Sequence, residues 1–219
     1  MIPLVHDFDD AVVVVFGGGP VGARKARRFA REARVVVVSP AFVDADFGGS
    51  EFVRATPDPE DVPAWITRAD PALVVAATDD DAFNAAVERY AHEAGVLVNR
   101  ADRAGAREPG SVVVPATVED DPVGVAVTTS GTSPAVSRHL RRELEGVVDG
   151  AGTVATVVSE LRDELKGREI EPDARRDAVR AVANEPAVWS AAREGDSEER
   201  VREVATRAVD GVLDDWRSP

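Results

Sequence analysis

Gly17, Gly19 and Gly22 keep a G-x-G-x-x-G spacing in Gly17-Gly18-Gly19-Pro20-Val21-Gly22, directly after the apolar run Val12-Val13-Val14-Val15-Phe16. In such a loop the first glycine permits a tight turn, the second lets a pyrophosphate approach the backbone, and the third lets helix and strand pack closely. Phosphates then rest on the amide-rich, partly positive start of the following helix. The chemistry served is dinucleotide binding; a tight turn in an unrelated α/β fold is the alternative. Ser39-Pro40-Ala41 stands where an acidic residue would hold the ribose hydroxyls of NAD, and serine carries no charge to repel a 2′-phosphate. Thr78 and Asp79 follow another apolar run and face the crevice at the strands' carboxyl ends, although Asp79 or Asp80 could equally cap the next helix. Asn99-Arg100-Ala101-Asp102 ends the next run, which offers Asp102 as a proton acceptor beside a cofactor or as an ordinary turn residue. Arg24 and Lys25 are phosphate partners or the solvated face of a helix.

The elements that must position these residues read as βαβ units feeding a parallel sheet. Strands are predicted over 11–16, 35–38, 72–77 and 96–99, and helices over 23–33 and 80–94. Residues 44–59 read as loop with one short strand near Phe52, and 60–69 as a weak helix interrupted by Pro63. Beyond Asp102, residues 111–115 and 123–129 read as paired strands separated by the acidic turn Glu119-Asp120-Asp121-Pro122. Ser133 is the expected cap of a helix that starts with Pro134 and runs to about 147. From 151 onward the chain is charged and helix-patterned, with breaks at Gly167, Pro172, Pro186 and Gly195 and with Trp189 and Trp216 as packing anchors. The expected class is therefore α/β: a Rossmann-type parallel sheet domain over 1–110, a small central segment of hairpin and helix over 111–148, and a helical carboxyl-terminal domain over 149–219.

Composition narrows the chemistry further. The 219 residues include 26 basic and 40 acidic side chains, a formal net charge of −14, which argues against a general nucleic-acid binder. With no cysteine there is no disulfide, thiolate metal site or cysteine nucleophile. His6, His92 and His139 are scattered without metal-ligand spacing, so no metal site is expected. Lys25 and Lys166 are the only lysines, a texture that fits a high-salt cytoplasm or, alternatively, a biased codon usage. The start lacks the charged and apolar regions of a secretory signal, and no apolar run approaches the ~18 residues of a membrane span. A soluble cytoplasmic protein without membrane partners is the expectation.

The ordered set Ile2-Pro3-Leu4, Gly17 to Gly22 followed by Arg24-Lys25-Ala26, Ala77-Thr78-Asp79-Asp80, Asn99 to Asp102, and Thr129-Ser130-Gly131-Thr132-Ser133-Pro134 resembles the precorrin-2 dehydrogenase family, including the amino-terminal module of siroheme synthase. The resemblance covers residues 1–146 closely and the helical tail in character only. It implies NAD-dependent oxidation of precorrin-2, a tetrapyrrole, to sirohydrochlorin, with transient contact to ferrous iron and its insertion in some members. It also implies an intertwined homodimer in which the central segment serves dimerisation. By position, Gly19 to Gly22 and Ser39 to Ala41 would hold the cofactor, and Asp102 matches the family's aspartate implicated in dehydrogenation and chelation. An octacarboxylate substrate would have to enter a chain of charge −14, so Arg100, Arg103 and Arg107, with the helix start at Ser130, Gly131, Thr132 and Ser133, are the expected donors. Arg138, Arg141 and Arg142 suit a surface or dimer face. Residues 103–110 depart from the family in being longer and richer in arginine. A competing class is a non-enzymatic NAD-binding sensor domain, which would end strand two with an acidic residue; Ser39-Pro40 and Gly131 to Pro134 speak against it. A short-chain reductase would need Tyr-x-x-x-Lys, yet Ala94 follows the single tyrosine, Tyr90, at that spacing.

Overall fold

The computed structural model describes residues 3–103, 110–214 and 216–217. Two compact units emerge, one of Met1–Val114 with Ser130–Thr132 and one of Pro115–Thr129 with Ser133–Pro219. In the first, β1 (Val12–Phe16), β2 (Arg34–Ser39), β3 (Glu51–Arg54), β4 (Leu73–Ala76) and β5 (Leu97–Arg100) form a parallel sheet of order β3-β2-β1-β4-β5. The central strands β1 and β4 are apolar on both sides because helices cover both faces. Val13 and Val15 share a core with Val35, Val37 and Val75 and with Ala23 and Ala26 of α1 (Pro20–Phe29). Val14 and Phe16 face the other way, toward Val62 and Ile66 of α2 (Val62–Ala69) and Phe83, Val87 and Ala91 of α3 (Asp81–Glu93). Strand order reverses between β1 and β4, so their carboxyl ends open the crevice in which ligands of this architecture bind.

Several boundaries differ from expectation for local reasons. Helix α1 starts at Pro20, since proline fits the first helical turn, where its missing N–H has no partner to lose. Pro63 likewise lies in the first turn of α2, after a 3-10 turn over Pro59–Asp61, and does not break the helix. The expected strand over 111–115 is not formed. Ser111 makes a single parallel bridge to Val98, and Pro115 has no N–H to extend a ladder. The hairpin is instead β6 (Ala116–Asp120) against β7 (Val123–Val127), with Asp121 and Pro122 at its turn.

In the second unit the hairpin is followed by α4 (Pro134–Val148), α5 (Ala151–Gly167), α6 (Pro172–Asn184), α7 (Pro186–Arg193) and α8 (Glu198–Asp210). Val154, Val157, Leu161 and Leu165 of α5 form the spine of a core that takes in Val182, Val188, Val201 and Trp216, with Trp189 packed at its edge. The boundary expected near 148 is bridged: Val118, Val148 and Ala151 pack together, and the Gly152 amide donates to Asp120 Oδ2 at 2.9 Å. Helix α4 buries Val148 alone, while Val136, Leu140 and Val147 remain 47%, 42% and 61% exposed. Among the described residues no helix is long and apolar enough to cross a membrane.

Candidate active site

The glycine loop is built as the spacing requires. Gly17 has φ +123°, donates to the Val38 carbonyl at 3.0 Å, and leaves no room for a side chain against the Ala77 carbonyl. A Cβ at Gly22 would collide with the Gly17 carbonyl, so this glycine brings α1 onto the strand end. Around the position a Cβ would take at Gly19 there is nothing within 4 Å, the open approach a pyrophosphate needs. Gly19 also caps α1 without a side chain, and the first turn holds no acidic residue to repel an anion. Gly18, the x of the motif, proves as constrained as its neighbours: a Cβ there would strike the Ala41 carbonyl, and its own carbonyl accepts from the Val43 amide at 2.9 Å. The loop after β2 is thus packed directly on the glycine loop. Ser39 is buried at the end of β2, with Pro40 and Ala41 following it.

Thr78 is held beside this cradle by Asn84, a fully buried residue of α3. Thr78 Oγ1 donates to Asn84 Oδ1 at 2.7 Å, and Asn84 Nδ2 donates back to the Thr78 carbonyl at 2.9 Å. Asp80, rather than Asp79, caps α3 by accepting the Phe83 amide at 3.0 Å, so the capping alternative holds for Asp80. Asp79 is left exposed.

At the end of β5 the structure corrects one expectation. Arg100 is not an open donor for substrate: its side chain is 1% exposed and bound on all sides by carboxylates. Its Nε and Nη2 form a fork to Asp102 at 2.9 and 2.6 Å, Nη1 donates to Glu88 at 3.0 Å, and Nη2 reaches Asp81 at 2.7 Å. A buried guanidinium needs such partners, since its charge cannot be given up. The hydrogen bonds that Arg100 donates to Asp102 raise the Arg100 pKa above its ordinary value despite burial, and the Asp102 and Glu88 charges add to the effect. For Asp102, burial pushes the carboxyl up, but hydrogen bonds and charge from Arg100, with further hydrogen bonds from its own backbone and Asn84, hold it below the usual carboxylate range. Asp102 is therefore ionised, oriented and still 22% exposed.

Arg103 lies at the edge of the same cluster, 40% exposed, 3.6 Å from Asp81 and 4.0 Å from Glu88. Arg107 lies outside the described residues. Ser130, with φ +54°, Gly131 and Thr132 group with the first unit; Ser133 belongs to the second and caps α4 by accepting the Val136 amide at 3.4 Å. Asn84 and Glu88 were not among the residues the sequence pointed to. With Asp81 they lie at i, i+3 and i+7, one polar stripe on a helix face turned to the sheet, and that stripe was the available signal. Among the described residues no group of three potential ligands could hold a metal ion; the carboxylates that converge do so on Arg100.

A parallel sheet of this order, with a glycine loop at its switch point and an open Gly19, defines a dinucleotide-binding domain of the Rossmann class. Residues 4–116 match the family model described as "Putative NAD(P)-binding". The precorrin-2 dehydrogenase of Methanosarcina barkeri is 31% identical over 221 residues, which cover 97% of this chain and 95% of that protein. The chain belongs to the precorrin-2 dehydrogenase family. The siroheme synthase of Pseudomonas paraeruginosa is 35% identical over 81% of this chain, which spans 37% of that longer protein. In fold, the solved structure of SirC, a precorrin-2 dehydrogenase, superposes with a TM-score of 0.68 at 20% identity over 95% of this chain and 98% of that one.

Proposed function

We propose that this chain oxidises precorrin-2 to sirohydrochlorin with NAD. The observation that carries this reading is the state of Asp102: it follows β5, the strand paired with β4 whose end leads to Thr78 beside the glycine loop, and it is held by the Arg100 fork with its side chain 22% exposed. NAD, when bound, supplies the hydride acceptor. Gly17, Gly19, Pro20, Val21 and Gly22 hold its pyrophosphate, Ser39, Pro40 and Ala41 its ribose, and Thr78 and Asp79 line the crevice. Removing hydride from the macrocycle leaves positive charge on it. Asp102, ionised and held by the Arg100 fork, stabilises that charge and accepts the proton. Arg103 keeps exposed donor surface for a substrate carboxylate, and Arg107 and the Ser130 to Ser133 turn belong to the same proposed donor set.

Likeness to the siroheme synthases supports ferrous iron as a second substrate, inserted into sirohydrochlorin. The exposed Val136, Leu140 and Val147 of α4 support a homodimer, and the acidic, lysine-poor composition supports a salty cytoplasm.

The test is to incubate the protein with precorrin-2 and NAD, follow sirohydrochlorin by absorbance, and then add ferrous iron. Asp102→Asn should retain NAD binding while turnover falls about 100-fold or more. Tight NAD binding by the wild-type chain with no turnover of precorrin-2 would refute the enzyme and favour the sensor class.

A further inference from the structure

The carboxyl end of β2 is where a Rossmann site meets the adenosine ribose, and a cation stands there. Ser39 pairs in register with Arg54, the last residue of edge strand β3. The Arg54 guanidinium folds back over the strand end: Nη1 donates to the Pro40 carbonyl at 2.9 Å, and the group lies 5.6 Å from the centre of the Phe42 ring. Phe42 in turn stacks on Phe52 at 4.6 Å, with Phe47 edge-on to both. Arg54 is thereby anchored to the short loop that packs on Gly18, since the Ala41 carbonyl, the Ser39 Cβ and the Phe42 ring all crowd the position of a Gly18 side chain.

Charge decides what such a position selects. An acidic residue at the end of β2 accepts both ribose hydroxyls and repels a 2′-phosphate, whereas a nearby arginine attracts it. Here the strand ends in a buried, neutral serine. Two carboxylates of the adjoining segments are engaged elsewhere: Asp46 accepts the Gly48 amide at 2.7 Å and faces Arg27 at 3.9 Å, and Glu51 pairs with Arg34 at 2.9 Å. Among the described residues the hydrogen bond of the Arg54 side chain is the one to Pro40, which leaves the other guanidinium N–H groups for a ligand.

We infer that Arg54, braced on Pro40 and Phe42, forms a subsite for the 2′-phosphate of a phosphorylated dinucleotide, so that this chain takes NADP as well as NAD. The inference rests on dinucleotide binding at the glycine loop. A planar fork held at one nitrogen presents its remaining donors to phosphate oxygens at little entropic cost.

Titration of the full chain with NAD, NADP and the probe 2′,5′-ADP, by calorimetry at fixed ionic strength, tests it. NADP and 2′,5′-ADP should bind the wild type. Arg54→Ala should lower the NADP-to-NAD affinity ratio about tenfold or more, the loss expected for a hydrogen bond to a charged group. Arg54→Glu should lower it further, and Arg54→Lys should restore part of it. NAD binding without NADP binding, or a ratio unmoved by Arg54→Ala, would overturn the subsite and leave the NAD reading intact; an arginine that merely stacks on adenine gives the second result. Failure of the wild type to bind either dinucleotide would overturn the cofactor reading and this inference together.

Discussion

Replacing Arg100 with methionine keeps an unbranched apolar stem and removes the cation on which three carboxylates converge. The arm to Asp81 matters little, because that carboxylate is 75% exposed and such pairs contribute about 0–1 kcal/mol. Glu88 is different. Its side chain is 8% exposed, and without Arg100 it keeps the Ser111 hydroxyl at 2.9 Å and the distant Arg103 at 4.0 Å. Breaking a buried ion pair from one side leaves an uncompensated charge and costs about 3–5 kcal/mol. Because Arg103 and Ser111 recover a little, a loss of ~3 kcal/mol at neutral pH is expected, a large share of a typical total near ~5–15 kcal/mol. Urea denaturation across pH reads it out. In the wild type the Asp102 carboxyl lies below its unfolded value of about 3.9. Its contribution is therefore fully present above that value and is lost as pH falls through the lower folded one. In the Arg100→Met variant the part of the lowering that Arg100 supplies is gone, while burial, which raises the carboxyl, remains. The gap between wild type and variant should be widest at neutral pH and narrow below about pH 4. Arg100→Lys, with charge but no fork, should fall between the two. A loss under about 1 kcal/mol, or a gap independent of pH, would refute the claim that this cation is what makes the buried carboxylates tolerable.

The glycines of the loop should separate by role. Gly22→Ala should yield little folded protein, because its methyl meets the Gly17 carbonyl, whereas Gly19→Ala should keep the wild-type melting temperature and lose NAD affinity in a calorimetric titration. Arg103→Ala should raise KM for precorrin-2 several-fold with KM for NAD nearly unchanged; equal effects on both in steady-state kinetics would remove Arg103 from the substrate site. Leu140→Asp, placed on the exposed apolar stripe of α4, should shift sedimentation toward monomer if the proposed homodimer uses this face, and an unchanged mass would refute that contact.

Much of the first unit was legible because its signals are local. A run of valines ending in Gly17-Gly18-Gly19-Pro20 can only be a buried strand entering a tight turn, and the jobs of Gly17, Gly19 and Gly22 follow from the absence of a Cβ. Ser133 before Pro134 marks a helix start in the same way, and the structure places the cap there. Residues 111–115 misled because three valines satisfy strand propensity, while the pairing that would make them a strand depends on which neighbour is in reach.

What only tertiary structure decided is the state of the charges. Arg100 and Asp102 are visible as a polar pair after a strand, and from the chain alone Arg100 is an open donor for an anionic substrate. Folding brings α3 against β5, so that Asp81 and Glu88 arrive from 19 and 12 residues away in sequence and join Asp102 around the guanidinium. Arg54 likewise becomes meaningful only because the parallel register of β2 and β3 sets it beside Ser39. Side-chain type and spacing act through contacts a few residues apart and can be read along the chain. Burial and electrostatic partnership depend on which distant segments share a dielectric environment, and that is settled when the chain packs.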